Sequence, residues 1–179
     1  GWEKWLLDMV GIATVSDMVP LVGENRVLAK FGIHVLRKTR RIGLLTLLSK
    51  VGITASQITE EDIGFTLSPR INAASRMGTP MDAFLLLATE DEAEAVALTD
   101  HLIKLNDRRK KEVAEIMTAL RTEMREKYLG AGQPIPKIIF AGHPTWSPGV
   151  LGLAANACAE EFGRPCFVWG AGEGVAETS

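Results

Sequence analysis

The sequence predicts a mostly helical α/β fold. Two observations predict it. Up to Leu129, apolar residues recur mainly at spacings of three and four, which is the period of an amphipathic helix. After Gly130, a strand pattern, a helical pattern and a second strand pattern follow one another, which predicts two parallel strands joined by a helix. With 179 residues, 46% of them hydrophobic, the chain can form one ordinary domain or two small ones with a buried core.

Three helices are predicted in the first fifty residues. The first covers 2–15 and ends near Ser16, because Pro20 and Gly23 follow. The second covers 24–38. The third covers 43–51, and Gly52 is placed to end it in the left-handed conformation that glycine adopts without steric cost.

Further helices are predicted up to Ala88. Thr59 and Asp62 have the spacing of a capping box, which begins a helix. Pro69 interrupts the pattern, and a kink or break is expected there. A helical stretch then continues to Met77 and ends at Gly78, and Pro80 lies in the first turn of the next helix.

The segment 90–129 contains no glycine and no proline, and we expect one long helix. Acidic residues crowd its start and basic residues its second half, which suits the helix dipole. Charged and amide residues between Asn106 and Glu112 interrupt the apolar spacing. We therefore expect a connector helix that packs on different partners at its two ends.

A new α/β domain is predicted near residue 131. Its elements are a strand at 137–141, a helix at 149–162 and a strand at 165–169. The expected organisation is a helical part over 1–89, the connector helix over 90–130 and the α/β part over 131–179. We expect both ends of the chain to lie inside larger domains.

The composition excludes several classes of protein. No run of about 18 apolar residues is present, so no membrane span is expected. Two cysteines, Cys158 and Cys166, are too few for a zinc site or a disulfide framework, and free thiols predict a cytoplasmic protein. The net charge of −2 does not decide for or against nucleic acid. The basic clusters 37–41 and 108–111 are either solvated faces or phosphate contacts.

Asp17 is the first candidate for chemistry, because an apolar helix delivers a single carboxylate to a turn. It is either a metal ligand or a cap of the following turn. A hard divalent ion needs several oxygen or nitrogen ligands, so Asp17 cannot form a metal site alone.

The second candidate is the segment 68–78, in which Arg70, Asn72 and Arg76 lie among small residues. Asn72 and Arg76 are four positions apart and share a helical face, whereas Arg70 does not share it. Arginine's planar guanidinium suits phosphate oxygens, and helix salt bridges are the alternative.

The third candidate is Trp146, in a loop that enters the helix predicted at 149–162. The N–H groups of a first helical turn attract anions. Trp146 could stack on a nucleobase or pack beneath the loop. The three histidines do not cluster at metal-ligand spacing.

These segments, in this order, resemble the RecJ branch of the DHH/DHHA1 phosphoesterase superfamily. Gly11 to Pro20, followed by Glu24, Asn25 and Arg26, is similar to the segment that carries the fourth motif of that family. Asp62 to Gly78 is similar to its proline-arginine-leucine-asparagine-alanine-alanine-glycine-arginine signature. Trp146 to Gly152, with Phe162 to Pro165, is similar to the opening of the DHHA1 domain.

The resemblance implies the C-terminal part of a DHH domain, a connector helix and the start of a DHHA1 domain. It implies a 5′→3′ exonuclease for single-stranded DNA that uses Mn²⁺ or Mg²⁺ in DNA repair and recombination. A helicase and a single-strand-binding protein are implied partners. Asp17 is then expected to bind metal, and Arg70, Asn72, Arg76 and Trp146 to contact the strand.

The sequence departs from the family pattern at Ser75, where glycine is usual, and at Ser147, where histidine is frequent. The Asp-x-Asp and Asp-His-His motifs are absent and are expected before Gly1. The glycine-serine-x-arginine-serine motif is expected after Ser179, because 175–178 substitutes poorly for it. The chain alone is therefore expected to be inactive. Two alternatives remain open: a non-catalytic single-strand-binding module, or a DHH phosphodiesterase acting on short oligonucleotides or cyclic dinucleotides.

Overall fold

The computed structural model describes residues 1–172. The chain divides into two compact units, Gly1–Asn106 and Asp107–Ser179, and the division falls within its longest helix. The predicted boundaries near 89 and 130 stay predictions, and the segment 175–178 lies outside the described residues.

The first unit is helical. A 3₁₀ turn at Trp2–Leu6 precedes α1, and a second one lies at Ala55–Gln57. The helices are α1 (Leu7–Ser16), α2 (Gly23–Leu36), α3 (Ile42–Lys50), α4 (Glu60–Asp62), α5 (Ser68–Met77), α6 (Pro80–Ala88) and the first part of α7 (Glu92–Met124). The predicted helices are present, and Gly52 has the predicted positive φ, at 77°.

The helices α1 and α2 cross closely at Gly11 and Gly32. A Cβ atom on Gly11 would lie 2.8 Å from the backbone Cα and C atoms of Gly32. Only glycine at both positions lets the two backbones approach so closely. The core beside this crossing consists of fully buried aliphatic side chains: Leu36, Leu44, Leu47, Leu48, Ile58, Ile63, Leu67, Leu86 and Leu102.

The predicted kink or break at Pro69 is wrong. The capping box of Thr59 and Asp62 forms as predicted, and the chain then stays helical through a π-helical turn at Ile63–Leu67 into α5. The Ser68 hydroxyl donates to the carbonyl oxygen of Ile63 at 2.6 Å. Pro69 lies in the first turn of α5.

The second unit contains the rest of α7, a π-helical turn at Arg125–Leu129, β1 (Ile139–Gly142), α8 (Pro148–Phe162) and β2 (Cys166–Trp169). The strands pair in parallel, with Ile139 opposite Cys166 and Gly142 opposite Trp169. Ile139 and Ala141 are buried, as are three residues of α8: Val150, Ala154 and Cys158. This strand–helix–strand unit confirms the predicted α/β class.

Among the described residues, no helix is both long enough and apolar enough to cross a membrane.

Candidate nucleic-acid interface and metal ligand

Asp17 lies at the end of α1 and is exposed to solvent. Its backbone N–H donates to the carbonyl of Ala13 at 3.0 Å, which completes the helix. Met18 then adopts a φ of 52°, a left-handed conformation that is uncommon outside glycine. Within the described part of the chain, the Asp17 carboxylate accepts no hydrogen bond and forms no ion pair, so it does not cap the turn. The carboxylate is therefore available to a ligand.

A side-chain hydrogen bond joins the end of α1 to the start of α5. The hydroxyls of Ser16 and Ser68 bond to each other across 52 positions of sequence. Asp17 directly follows Ser16, and Ser68 is the first residue of the candidate segment 68–78. The structure thus brings the metal candidate and the arginine segment to one place.

The exposed side of α5 carries Asn72 and Arg76, as predicted, while Ala73 and Ala74 are buried. Asn72 and Arg76 are four and eight positions after Ser68. At about 1.5 Å of rise per residue, they lie roughly 6 and 12 Å along the helix from the Ser16–Ser68 bond. The amide and the guanidinium therefore lie on the exposed side of α5 at increasing distance from the Ser16–Ser68 bond.

Arg70 is placed differently from the other two candidates. Its side chain is half-buried, and its Nη1 donates to the carbonyl of Thr66 at 2.6 Å. That bond satisfies a carbonyl of the π-helical turn. Arg70 therefore stabilises the start of α5 through the backbone, and less of its guanidinium remains for a ligand.

The residues present do not make a complete metal site. Among the described residues, no group of three His, Cys, Asp or Glu side chains lies close enough to hold an ion. Mg²⁺ and Mn²⁺ favour several oxygen ligands, of which Asp17 can supply one.

Some cations of the two basic clusters singled out in the sequence have partners within the protein. Arg41 forms an ion pair with the buried Asp8, with 2.8 Å between Nε and Oδ2. Arg37 donates to the carbonyl of Ile58 at 3.0 Å. In the second cluster, Arg108 pairs with Glu112 at 2.8 Å. These cations therefore have structural partners.

Trp146 lines a cleft of about 510 Å³ in the second unit. The cleft lies where the carboxyl ends of the parallel strands meet the start of α8, a place where α/β proteins frequently bind ligands. Trp146 is half-buried, and its ring centroid lies 6.3 Å from that of His143. The N–H groups of Ala171 and Gly172 both donate to the carbonyl of Pro144, at 3.2 and 3.1 Å, and fix the loop.

The charges around this cleft do not favour an isolated anion. Glu112 and Glu115 line it together with Arg108. In the first turn of α8, Pro148 has no N–H, and the N–H of Val150 donates to Ser147 at 3.2 Å. The indole and the carboxylates suit the face and the amino groups of a nucleobase better than a phosphate.

Burial raises the pKa of the Cys158 thiol to about 12, and a hydrogen bond with Cys166 adds to the effect. The thiol is therefore uncharged at neutral pH and serves as a small apolar group of the core. The two cysteines do not contribute to the candidate interface.

The serine pair was missed in the sequence. Neither serine belongs to the apolar spacing that identifies helices, and the sequence feature that could have pointed to Ser68 is the Ser-Pro pair at the start of α5.

No protein-family model matches the chain. Three relatives named single-stranded-DNA-specific exonuclease RecJ match nearly all of it. The Bacillus subtilis protein is 39% identical over 97% of the chain. The Thermus thermophilus protein is 36% identical over 96%, and the Escherichia coli protein is 34% identical over 97%. The chain spans 22%, 24% and 30% of these relatives, respectively.

Solved structures agree with the sequence relatives. Crystal structures of Thermus thermophilus RecJ in complex with Mn²⁺ and with Mg²⁺ superpose with TM-scores of 0.80 and 34% identity. Each covers 93% of this chain, which corresponds to 24% and 25% of those chains. Sequence and fold lead to the same assignment. The chain therefore belongs to the RecJ family and matches a segment of the proteins in that family.

Proposed function

We propose that this chain is part of a metal-dependent exonuclease that degrades single-stranded DNA from its 5′ end. The observation that carries the proposal is the Ser16–Ser68 hydrogen bond, which brings Asp17 beside the start of α5. The names of the relatives and the metals in the Thermus thermophilus structures support the substrate class and a divalent ion.

In this proposal, Asp17 supplies one carboxylate to a metal site whose other ligands come from outside the chain. When bound, the metal would activate water and stabilise the departing oxygen. Asn72 and Arg76 bind backbone phosphates next to the scissile one through an amide donor and a guanidinium. Arg70 keeps the turn before them in place, and Trp146 contacts a base of the strand.

A nuclease assay tests the proposal. The full-length protein that contains this chain should degrade a 5′-phosphorylated single strand when Mn²⁺ is added, and should leave the corresponding duplex intact. Purified residues 1–179 should show no activity above background. Robust cleavage by residues 1–179 alone would refute the claim that the site is incomplete.

Arg76 provides a second test that does not depend on cleavage. Arg76→Ala should weaken strand binding. It should also lower the magnitude of the log–log salt slope, which is the slope of the logarithm of the binding constant against the logarithm of the salt concentration. The expected decrease is about 0.7, the contribution of one phosphate contact on a single strand. Arg164→Ala, which removes an exposed arginine of the second unit, is the matched control. An unchanged slope in Arg76→Ala would rule out phosphate contact.

Two alternative functions make different predictions. A non-catalytic binding module would bind single strands and would not degrade them, whichever metal ion is added. A phosphodiesterase for short substrates would cleave dinucleotides or cyclic dinucleotides faster than long strands. Arg76 lies roughly two helical turns from the Ser16–Ser68 bond, which favours a long strand over a short substrate, because a short substrate does not need contacts that far from Asp17. The cleavage assay separates the exonuclease from the non-catalytic binding module. A cytoplasmic role in DNA repair and recombination, with a helicase and a single-strand-binding protein as partners, belongs to the same proposal.

A further inference from the structure

The stretch from Asn25 to Thr59 contains no aspartate or glutamate, although the whole chain has more acidic than basic residues. The stretch carries seven lysines and arginines: Arg26, Lys30, Arg37, Lys38, Arg40, Arg41 and Lys50. Charge of one sign within one segment produces a local field that the net charge of −2 conceals.

Three of these seven cations have partners in the fold. Arg41 pairs with Asp8, Arg37 bonds to the Ile58 carbonyl, and Lys50 pairs with Asp100 at 2.9 Å. The other four are exposed and form no ion pair in the part of the chain that the structure describes: Arg26, Lys30, Lys38 and Arg40.

Two of the four unpaired cations, Arg26 and Lys30, lie on α2, and a third, Lys38, lies in the turn two residues after its end. Arg26, Lys30, His34 and Lys38 follow one another at intervals of four residues, which is about 6 Å of rise per step. The Nζ of Lys38 lies 3.2 Å from Nε2 of His34, as this alignment requires. We call these four residues the α2 basic row.

The α2 basic row faces away from the core. The residues of α2 that pack inward are Ala29, Gly32 and Leu36, on the opposite side of the helix. Val27 and Phe31 lie beside the row and are 53% and 52% exposed. A row of cations with an exposed aromatic ring beside it is the arrangement that sequence-independent single-strand binders use, because the cations attract phosphates and the ring stacks on a base.

We propose that the α2 basic row binds the phosphate backbone of the single strand as an extension of the site at Asp17, with Phe31 stacking on a base. This inference rests on the proposed function and assigns a part of the strand's path to α2. The helix begins six residues after Asp17. The side chain of Asn25 donates to the carbonyl of Pro20 at 3.2 Å and fixes the intervening turn. A strand held near Asp17 therefore reaches the row directly.

An acidic peptide is the competing ligand for a row of cations. The aromatic and aliphatic side chains beside the row favour the nucleic acid, since a base presents a flat apolar face at each phosphate step. Binding measurements with DNA and with an acidic peptide distinguish the two ligands.

The experiment measures fluorescence anisotropy of a labelled oligo(dT) of about 30 nucleotides, longer than a typical single-strand site. The full-length protein that contains this chain is used in EDTA, so that no cleavage occurs. The test variant combines Arg26→Gln, Lys30→Gln and Lys38→Gln. The control combines Arg125→Gln, Lys137→Gln and Arg164→Gln, which removes the same charge from exposed positions of the second unit.

The row variant should lower the magnitude of the log–log salt slope by about 2 between roughly 50 and 200 mM salt, because each lost phosphate contact removes about 0.7. Its affinity at about 0.1 M salt should fall on the order of 100-fold. The control should keep the wild-type slope. Phe31→Ala should weaken binding roughly tenfold and leave the slope unchanged, because stacking releases no counterions.

The outcomes separate the two proposals. If the wild type itself does not bind the strand, the proposed function fails. If the wild type binds and the row variant keeps its affinity and slope, only the role of the α2 basic row is refuted. Loss of binding to a poly-glutamate peptide, with DNA binding unchanged, would refute it in favour of a protein partner. All variants should unfold at the wild-type urea concentration, because the substituted residues are exposed.

Discussion

Substituting Gly11 with alanine should separate α1 from α2 and disturb the position of Asp17. Gly11 lies inside α1, where alanine is intrinsically better than glycine by about 1 kcal/mol. Considered alone, helix propensity would therefore stabilise Gly11→Ala. The structure predicts instead that Gly11→Ala is less stable than the wild type.

The magnitude follows from the crossing distance. The added Cβ would lie 2.8 Å from two backbone atoms of Gly32, about 0.7 Å short of the lower end of ordinary carbon–carbon contact. Backbone atoms cannot rotate away as a side chain can, so the helices must move apart. Overpacking of this kind costs about 1–3 kcal/mol, and a rigid neighbour favours the upper end. After the gain in helix propensity, we expect a net loss of about 2 kcal/mol.

Urea unfolding followed by circular dichroism measures this loss. Gly152→Ala in α8 is the matched control, because it is also a helical glycine but a Cβ there meets no atom within 4 Å. It should gain about 0.5–1 kcal/mol. If Gly11→Ala is stabilised as much as Gly152→Ala, the close crossing of α1 and α2 is refuted.

Three further predictions concern buried polar groups. Asp8→Ala should lower the free energy of unfolding in urea by about 2 kcal/mol, because it leaves a partly buried arginine unpaired. Glu161→Ala, at an exposed ion pair, is the control and should cost less than about 1 kcal/mol. Equal costs would contradict the assigned burial of the Asp8 pair. Thr99→Val should stabilise the fold by about 1 kcal/mol, because the fully buried Thr99 hydroxyl has no partner among the described protein atoms. Thr118→Val, at an exposed position, is the control and should not stabilise the fold. A loss of stability in Thr99→Val would show that the hydroxyl has a hydrogen-bond partner. The raised pKa of Cys158 means that the folded protein keeps this proton longer than the unfolded chain. Its contribution to stability is therefore complete below about pH 9 and declines as pH rises toward about 12, and Cys158→Ala should flatten that decline in urea titrations across this range.

Local patterns in the sequence were sufficient to predict most of the helices. The stripe of α2, the capping box at Thr59 and the absence of glycine and proline from α7 are each contained in one short segment. Physical preferences of that kind act between neighbours in sequence. Pro69 was interpreted wrongly because the sequence does not show that a π-helical turn places the proline in the first turn of α5.

The candidate site was only partly predictable for the opposite reason. Asp17 and Arg76 could be named from their segments, but the contact that brings those segments together joins two serines 52 positions apart. The partner of Arg70 is a backbone carbonyl, which has no sequence signature. The α2 basic row has a visible signal in its lack of acidic residues. Its direction becomes clear only when the buried side of α2 is known.

The measurement that tests the account most directly is the nuclease rate of the Asp17→Ala variant in the full-length protein. Asp107→Ala, which removes another exposed aspartate, is the control. The account predicts that Asp17→Ala loses at least about 100-fold in Mn²⁺-dependent degradation of a single strand, since even outer partners of a metal ligand cost 10–100-fold. Strand binding in EDTA and the urea midpoint should stay at wild-type values. Wild-type degradation rates in Asp17→Ala would show that this carboxylate is not part of the active site.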